Sequence, residues 1–102
     1  MGARITFSLA SSGGLEIWLN EEGRDLLVRE LQRLGEKNDH FHFGPDDGSE
    51  VRVSTSAYRA DDKILDYGKV LFRTDTWDGQ HYPHVLTENT RAPQSQSTPS
   101  SG

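Results

Sequence analysis

Hydrophobic and polar residues alternate along two segments near the start of the chain, residues 4–10 and 15–20. A period of two residues is the pattern of a strand with one buried face. The Ser-Ser-Gly-Gly break between the segments favours a tight turn, so we expect a β-hairpin. The side chains of the second strand that are expected to face the core are Leu15, Ile17 and Leu19.

A helical pattern follows this hairpin directly. Leu27, Leu31 and Leu34 recur at spacings of four and three residues, and charged side chains occupy the opposite side. This spacing predicts an amphipathic helix over residues 21–35. Asn20 is a favourable N-cap for that helix, and a glycine marks its end.

The second half of the chain is predicted to consist mainly of strands, at residues 40–43, 51–54 and 70–77, with a further strand at 81–87. The first two flank the turn-forming sequence GPDDG, which indicates a second hairpin. Pro83 lacks a backbone N–H, so the last strand fits only the edge of a sheet. Residues 56–68 could form either a short helix or an irregular loop.

This order of elements predicts an α+β fold in which one amphipathic helix packs on one face of a small, mainly antiparallel β-sheet. We expect a single domain over residues 1–89. Residues 90–102 are rich in Ser, Gln and Pro and contain no large apolar side chain. They are therefore predicted to form a disordered tail.

The face of the sheet opposite the helix is expected to be open if the aliphatic rows of the strands all face the helix. That face would carry Glu16, Trp18, His40 and His42. An exposed aromatic side chain among polar ones is typical of a binding surface. In the alternative interpretation, the tail or residues 56–68 fold over this face.

The composition excludes several classes of function. The chain of 102 residues has 11 basic and 16 acidic side chains and a net charge of −5, which disfavours nucleic acid as a direct partner because phosphates repel it. The chain has no cysteine, so disulfides and thiolate zinc sites are excluded. Without a long apolar run or a signal sequence, we expect a cytoplasmic protein with no membrane contact.

The acidic excess is concentrated in residues 38–67, which contain three basic and seven acidic side chains. A localised negative surface speeds association with a basic partner, although solubility alone would also explain a charge of this size. We predict that the partner-binding acidic side chains are those of two loops, namely Asp46, Asp47, Glu50, Asp61 and Asp62.

The four histidines form two closely spaced pairs, His40 with His42 and His81 with His84. Two such pairs could supply imidazole ligands to a zinc ion, so a metal-binding module or a metal-dependent enzyme is the alternative hypothesis. The chain lacks the spacing signatures of zinc proteases, P-loops and nucleophile elbows. We therefore predict no enzymatic activity, no catalytic residue and no cofactor.

Residues 15–43, LEIWLNEEGRDLLVRELQRLGEKNDHFHF, resemble immunity protein family 32, predicted antidotes of bacterial polymorphic toxin systems. The similarity rests on an LEIxLxxEG entry into a helix, an LxxELQRL helix and an H-h-H strand, in which h is apolar. These features are residues 15–23, 27–34 and 40–42 of this chain. After the last strand the family has a Trp-Gly-Gly-like turn, where this chain has GPDDG.

The resemblance implies a protein that binds and neutralises a cognate toxin without catalysis and without a required cofactor. Together with the charge pattern, it predicts a non-enzymatic protein-binding domain whose partner is a basic toxin effector. The binding surface would combine the two acidic loops with Trp18, His40 and His42. We expect the protein itself to be a monomer or a weak dimer.

Overall fold

The computed structural model of this chain describes residues 2–91, and it describes side chains as far as Thr87. The elements in chain order are β1 Ile5–Leu9, β2 Leu15–Leu19, α1 Glu21–Gln32, β3 His40–Gly44, β4 Val51–Arg52, β5 Lys63–Ile64, β6 Gly68–Leu71, α2 Asp75–His81 and α3 Pro83–Arg91. Small, mostly antiparallel sheets combined with helices confirm the predicted α+β class.

Contacts between Cα atoms divide the described residues into two compact units, of which the first ends at Phe72 and the second begins at Arg73. The first unit contains the six strands and α1, and the second contains α2 and α3. The predicted tail, residues 90–102, lies outside the described residues except for the last two residues of α3. No helix within residues 2–91 combines the length and the apolar character that a membrane span requires.

The strands of the first unit form two three-stranded sheets, ordered β2-β1-β5 and β4-β3-β6. β1 pairs antiparallel with both of its neighbours, which confirms the predicted first hairpin. The segment after β4 bonds to both sheets, because Val53 N–H donates to the Gly44 carbonyl of β3 (2.8 Å) and Ser54 N–H donates to the Ile5 carbonyl of β1 (2.7 Å). The segment after β4 therefore connects β1 to β3.

The predicted hairpin between residues 40–43 and 51–54 is wrong. β3 and β4 pair in parallel over two residues, and β3 pairs antiparallel with β6 instead. On the β4 side of β3, the carboxylate of Glu50 accepts the backbone N–H of His42 at 2.9 Å. The Glu50 side chain thus bonds to the backbone N–H that the second strand of a hairpin would use. The chain instead returns along residues 45–50 and enters β4 in the same direction as β3.

The core lies where β1 meets β3 and the β4 segment. Its buried apolar side chains are Ile5, Phe7, Phe41, Val51 and Val53. The ring centroids of Phe7 and Phe43 are 4.3 Å apart, which joins the two sheets through aromatic packing. The partly buried side chains around this core are Leu26, Leu27, Leu34, Phe43, Leu65 and Val70.

Helix α1 begins at the predicted N-cap. The Asn20 Oδ1 atom accepts hydrogen bonds from the backbone N–H groups of Gly23 (2.7 Å) and Arg4 (2.8 Å). The first turn of the helix therefore lies against the start of β1. A Cβ atom at position 23 would overlap the backbone carbonyl of Arg4, so this approach requires a glycine.

The contact of Gly23 fixes which face of α1 is buried. Gly23 and Glu30 are buried, and Leu26 and Leu27 between them pack against the core. Leu31, which the spacing places in the core, is 46% exposed, and Val28 beside it is 45% exposed. The stripe is confirmed at Leu27 and Leu34, which pack against the core. The buried face of α1 is rotated away from Leu31 and Val28, because the backbone contact at Gly23 sets the orientation of the helix.

The aliphatic row of β2 is also more exposed than expected. The exposed fractions of Leu15, Ile17 and Leu19 are 60%, 48% and 40%. Their direct partners on β1 are the apolar Leu9, Phe7 and Ile5, so the row is on the predicted face of the sheet. Because the core is centred on β1, the neighbouring edge strand keeps its apolar side chains only partly covered.

The predicted strand over residues 70–77 is confirmed only at residues 70 and 71, which belong to β6, and the predicted strand over residues 81–87 is wrong. The helices α2 and α3 follow β6 instead. The Thr74 hydroxyl accepts the Trp77 N–H at 3.1 Å and caps α2. Pro83 is the first residue of α3, a position where its missing N–H costs nothing.

Replacing Gly23 with alanine is expected to destabilise the protein by about 1–3 kcal/mol, because the new Cβ atom forces α1 away from β1. Helix propensity alone favours alanine by roughly 1 kcal/mol, so the two effects have opposite signs. Urea unfolding followed by circular dichroism measures the difference. Gly35→Ala is the matched control, since a Cβ atom there meets open space. A Gly23→Ala protein at least as stable as the parent would contradict the close contact.

Candidate functional site

The side chains predicted to bind a partner fall into two groups in the first unit. Trp18 and Asp62 belong to a cluster on the sheet β2-β1-β5, on the face opposite the core. His40 and His42 lie on β3, and the segment that follows β3, residues 45–50, carries three of the predicted carboxylates. We call residues 45–50 the acidic loop.

The indole of Trp18 is covered by the segment that follows β4. Its ring stacks on Tyr58 with 4.1 Å between centroids and 9° between planes. The Trp18 Nε1 atom donates to the Ser8 hydroxyl at 3.3 Å, and the Arg59 guanidinium lies 5.3 Å from the ring centroid. The alternative that residues 56–68 fold over this face is thus confirmed at Trp18, and Tyr58 forms the outer surface there.

Arg59 holds this cluster together through two carboxylates. Its Nε atom donates to Asp62 at 3.1 Å, and its Nη2 atom donates to the carboxylate of Glu16 on β2. The hydrogen bond that Arg59 donates to Asp62 is the main cause that raises the pKa of Arg59. The Asp62 side chain is only 1% exposed, so this predicted contact residue is used inside the protein.

Tyr58 and Arg59 were not among the side chains predicted from the sequence. They lie in a segment with neither strand nor helix period, so no pattern places them opposite Trp18. Only their chemistry indicates the contact. A tyrosine can stack on a tryptophan, and an arginine can pair with a glutamate and lie over an aromatic ring.

The acidic loop is exposed and held by its own hydrogen bonds. Asp46 accepts the Gly48 N–H through its side chain (3.2 Å) and the Ser49 N–H through its backbone carbonyl (3.4 Å). Asp47 is 91% exposed and forms an ion pair with Arg52 at 2.8 Å. The loop therefore presents carboxylates in a defined conformation rather than on a loose chain.

Glu50 closes the acidic loop against β3. The backbone N–H of His42 donates to its Oε1 atom, and this bond is the main cause that lowers the pKa of Glu50. The Nδ1 atom of His42 lies 3.5 Å from the same oxygen. The carboxylate therefore remains ionised to a lower pH than an ordinary glutamate, which preserves the negative charge of the loop.

The histidines are each in contact with a nearby polar or aromatic group. The rings of His40 and His42 are 5.0 Å apart in an edge-to-face arrangement, and Asp39 lies 2.9 Å from the His40 Nδ1 atom. His81 lies on α2 with its Nδ1 atom 2.9 Å from the Trp77 carbonyl, and His84 lies on α3 rather than on a strand. Within residues 2–91, no three His, Cys, Asp or Glu side chains are grouped to hold a metal ion.

The five predicted acidic residues therefore differ in how much charge they offer to a partner. Arg52 and Arg59 balance Asp47 and Asp62, respectively. Asp46 and Asp61 are exposed and form no ion pair with any side chain that the structure describes. The unbalanced negative charge thus lies on these two residues and on Glu50.

Glu50→Gln tests the role of the loop carboxylate in stability. Because the pKa of Glu50 is lowered in the folded protein, its carboxylate contributes fully to stability at a pH above the ordinary value of 4.5. This contribution is lost as the pH falls through the pKa of the folded protein. We expect the variant to be less stable than the parent at neutral pH and equally stable at a pH below the folded value. Urea midpoints over this pH range measure the difference, with Asp61→Asn as the control for losing one exposed carboxylate.

Arg59→Gln is expected to destabilise the protein more than the double change Arg59→Gln with Asp62→Asn. The single change leaves a covered carboxylate without its cation, whereas the double change leaves no charge to compensate. A double-mutant cycle in urea unfolding measures the coupling. The exposed pair Asp47–Arg52 provides the matched control, for which little coupling is expected. Additive effects at Arg59 and Asp62 would contradict the assigned role.

Comparisons with family models of known proteins, with curated proteins and with solved structures each found no match. The resemblance to immunity protein family 32 therefore rests on the motifs within residues 15–43 and stays a prediction. Function has to be inferred from the geometry and charge of the first unit.

Proposed function

We propose that this protein is a non-enzymatic binding domain whose partner is a basic protein. The observation that carries the proposal is the acidic loop, which is exposed and yet fixed in conformation by hydrogen bonds to Asp46 and from His42 to Glu50. An ordered loop loses little conformational entropy when a partner binds, so its charge is used efficiently.

The distribution of ion pairs supports a basic partner. Asp47 is paired with Arg52, but both side chains are largely exposed, so a partner arginine or lysine can compete for the carboxylate. Asp46 and Glu50 flank it in the same loop and add negative charge that no arginine of the described residues balances. Complementary charge of this kind accelerates association and selects against acidic partners.

The immunity function is the specific form of this proposal. The similarity of residues 15–43 to immunity protein family 32 supports a toxin effector as the partner, and the charge of the acidic loop supports an effector with a cationic surface. An acidic loop is complementary to a surface of that charge. Neutralisation would then be steric, with the protein acting in the cytoplasm and without a cofactor.

Partner binding is tested by neutralising two carboxylates of the acidic loop. We expect Asp46→Asn with Asp47→Asn to slow association with the basic partner about tenfold at low salt and to flatten the salt dependence of the rate. The partner is first recovered with the tagged protein from its host and identified by mass spectrometry. Stopped-flow binding then compares the purified pair at several salt concentrations.

Glu21→Gln with Glu22→Gln is the matched control, because it removes two exposed charges from the first turn of α1. The control should leave the rate nearly unchanged if the acidic loop is the contact. If the two double substitutions slowed association equally, only the net charge of the protein would matter. The specific docking of the loop would then be wrong.

A further inference from the structure

We infer that β2 is a self-association edge, on which a second copy of this chain adds its own β2 in antiparallel orientation. β2 is the outer strand of the sheet β2-β1-β5, and no other strand of residues 2–91 pairs with its free side. An unpaired strand edge is a template for adding another strand. This inference does not depend on the proposed toxin binding.

The hydrogen bonds at both ends of β2 show which backbone groups point outward. Asn20 N–H donates to the Arg4 carbonyl and Ala10 N–H donates to the Gly14 carbonyl, so the even-numbered residues of this strand are the ones bonded to β1. Because bonding alternates along an antiparallel ladder, the odd-numbered residues direct their N–H and C=O groups outward. These residues are Leu15, Ile17 and Leu19.

The same three residues also carry the exposed aliphatic row, with exposed fractions of 60%, 48% and 40%. Strand edges exposed to solvent are commonly protected by lysine, proline or a bulge. β6, one of the two edge strands of the other sheet, follows this rule with the exposed Lys69. β2 has none of these features, and its one charged residue, Glu16, is paired with Arg59.

The sequence of β2 is self-complementary about Ile17. In an antiparallel pair centred on this residue, Ile17 faces its own copy and Leu15 faces Leu19 of the second chain. On the other face, Glu16 is opposite Trp18 of the second chain and not opposite another glutamate. Within β2 the pairing therefore places no like charges opposite each other, although each chain has a net charge of −5.

The interface is small for a stable dimer. One pair of five-residue strands covers less than the roughly 1,200 Å² that separates specific from weak complexes, so a dissociation constant on the order of 0.1 mM is expected. The dimer would thus form only at high local concentration, and the edge would be free at low concentration.

Sedimentation equilibrium and hydrogen exchange on the full chain test this inference. From about tenfold below to about tenfold above the expected constant, the mass should rise from monomer to dimer. Over the same range, the amides of Leu15, Ile17 and Leu19 should become protected from exchange. The amides of Glu16 and Trp18 should not change, because they are already bonded to β1.

Two substitutions at the edge give the decisive comparison. Ile17→Lys places a charge at the centre of the pair and should weaken association roughly tenfold or more. Ile17→Thr keeps a β-branched side chain, so the fold is retained while the apolar contact is reduced. Leu71→Lys is the matched control, since it adds the same charge to an exposed leucine of β6.

A monomer at the highest concentration would overturn the inference. So would an association that Leu71→Lys removes and Ile17→Lys does not, because the contact would then involve β6. Increasing salt should leave the dimer intact or strengthen it, whereas binding of a basic protein to the acidic loop weakens in salt. The two proposals can therefore fail independently.

Discussion

Backbone hydrogen bonding along both sides of β1 is the constraint on which the first unit depends. β2 pairs with one side, while Ser54, β5 and Leu65 bond to the other. β1 is buried on both faces, with Ile5 in the core and the polar Ser8 completely covered on the opposite face. Ser8 satisfies its hydroxyl by accepting the Trp18 N–H, so a covered polar residue fixes the position of an aromatic one.

This central strand divides the surface into regions of different chemistry. The segment after β4 leaves the core at Ser54 and crosses the far face, where Tyr58 and Arg59 cover Trp18. The turn before it forms the acidic loop, and Glu50 fixes that loop to β3. β2 is left at the outside with an apolar row, and its one charged residue, Glu16, is paired with Arg59. The acidic loop and the apolar row of β2 are therefore separate parts of the structure, so the two proposed interactions can be tested separately.

The candidate site could be predicted from the sequence only in part. The exposed carboxylates Asp46 and Asp47 follow from turn chemistry, because Asp and Gly are favoured where the chain reverses. The covering of Asp62 could not be read from it, since that depends on Arg59, which lies three residues earlier in a segment without a period. The prediction that Trp18 lies on an open face is wrong for the same reason. A long-range contact with Tyr58 covers that face, and the alternation of residues along the strand gives no sign of this contact.

The sequence by itself determined the first hairpin, the start of α1 at Asn20 and the α+β class, because these depend on local periodicity and on a cap that acts within one turn. Tertiary structure decided the rotation of α1, since Gly23 must approach the carbonyl of Arg4. It also decided the parallel pairing of β3 with β4, in which the carboxylate of Glu50 accepts the backbone N–H of His42. In each case a contact between residues that are not neighbours in the sequence outweighed the local pattern. Such contacts cannot be predicted from the sequence alone, because they leave no repeating pattern of hydrophobic and polar residues.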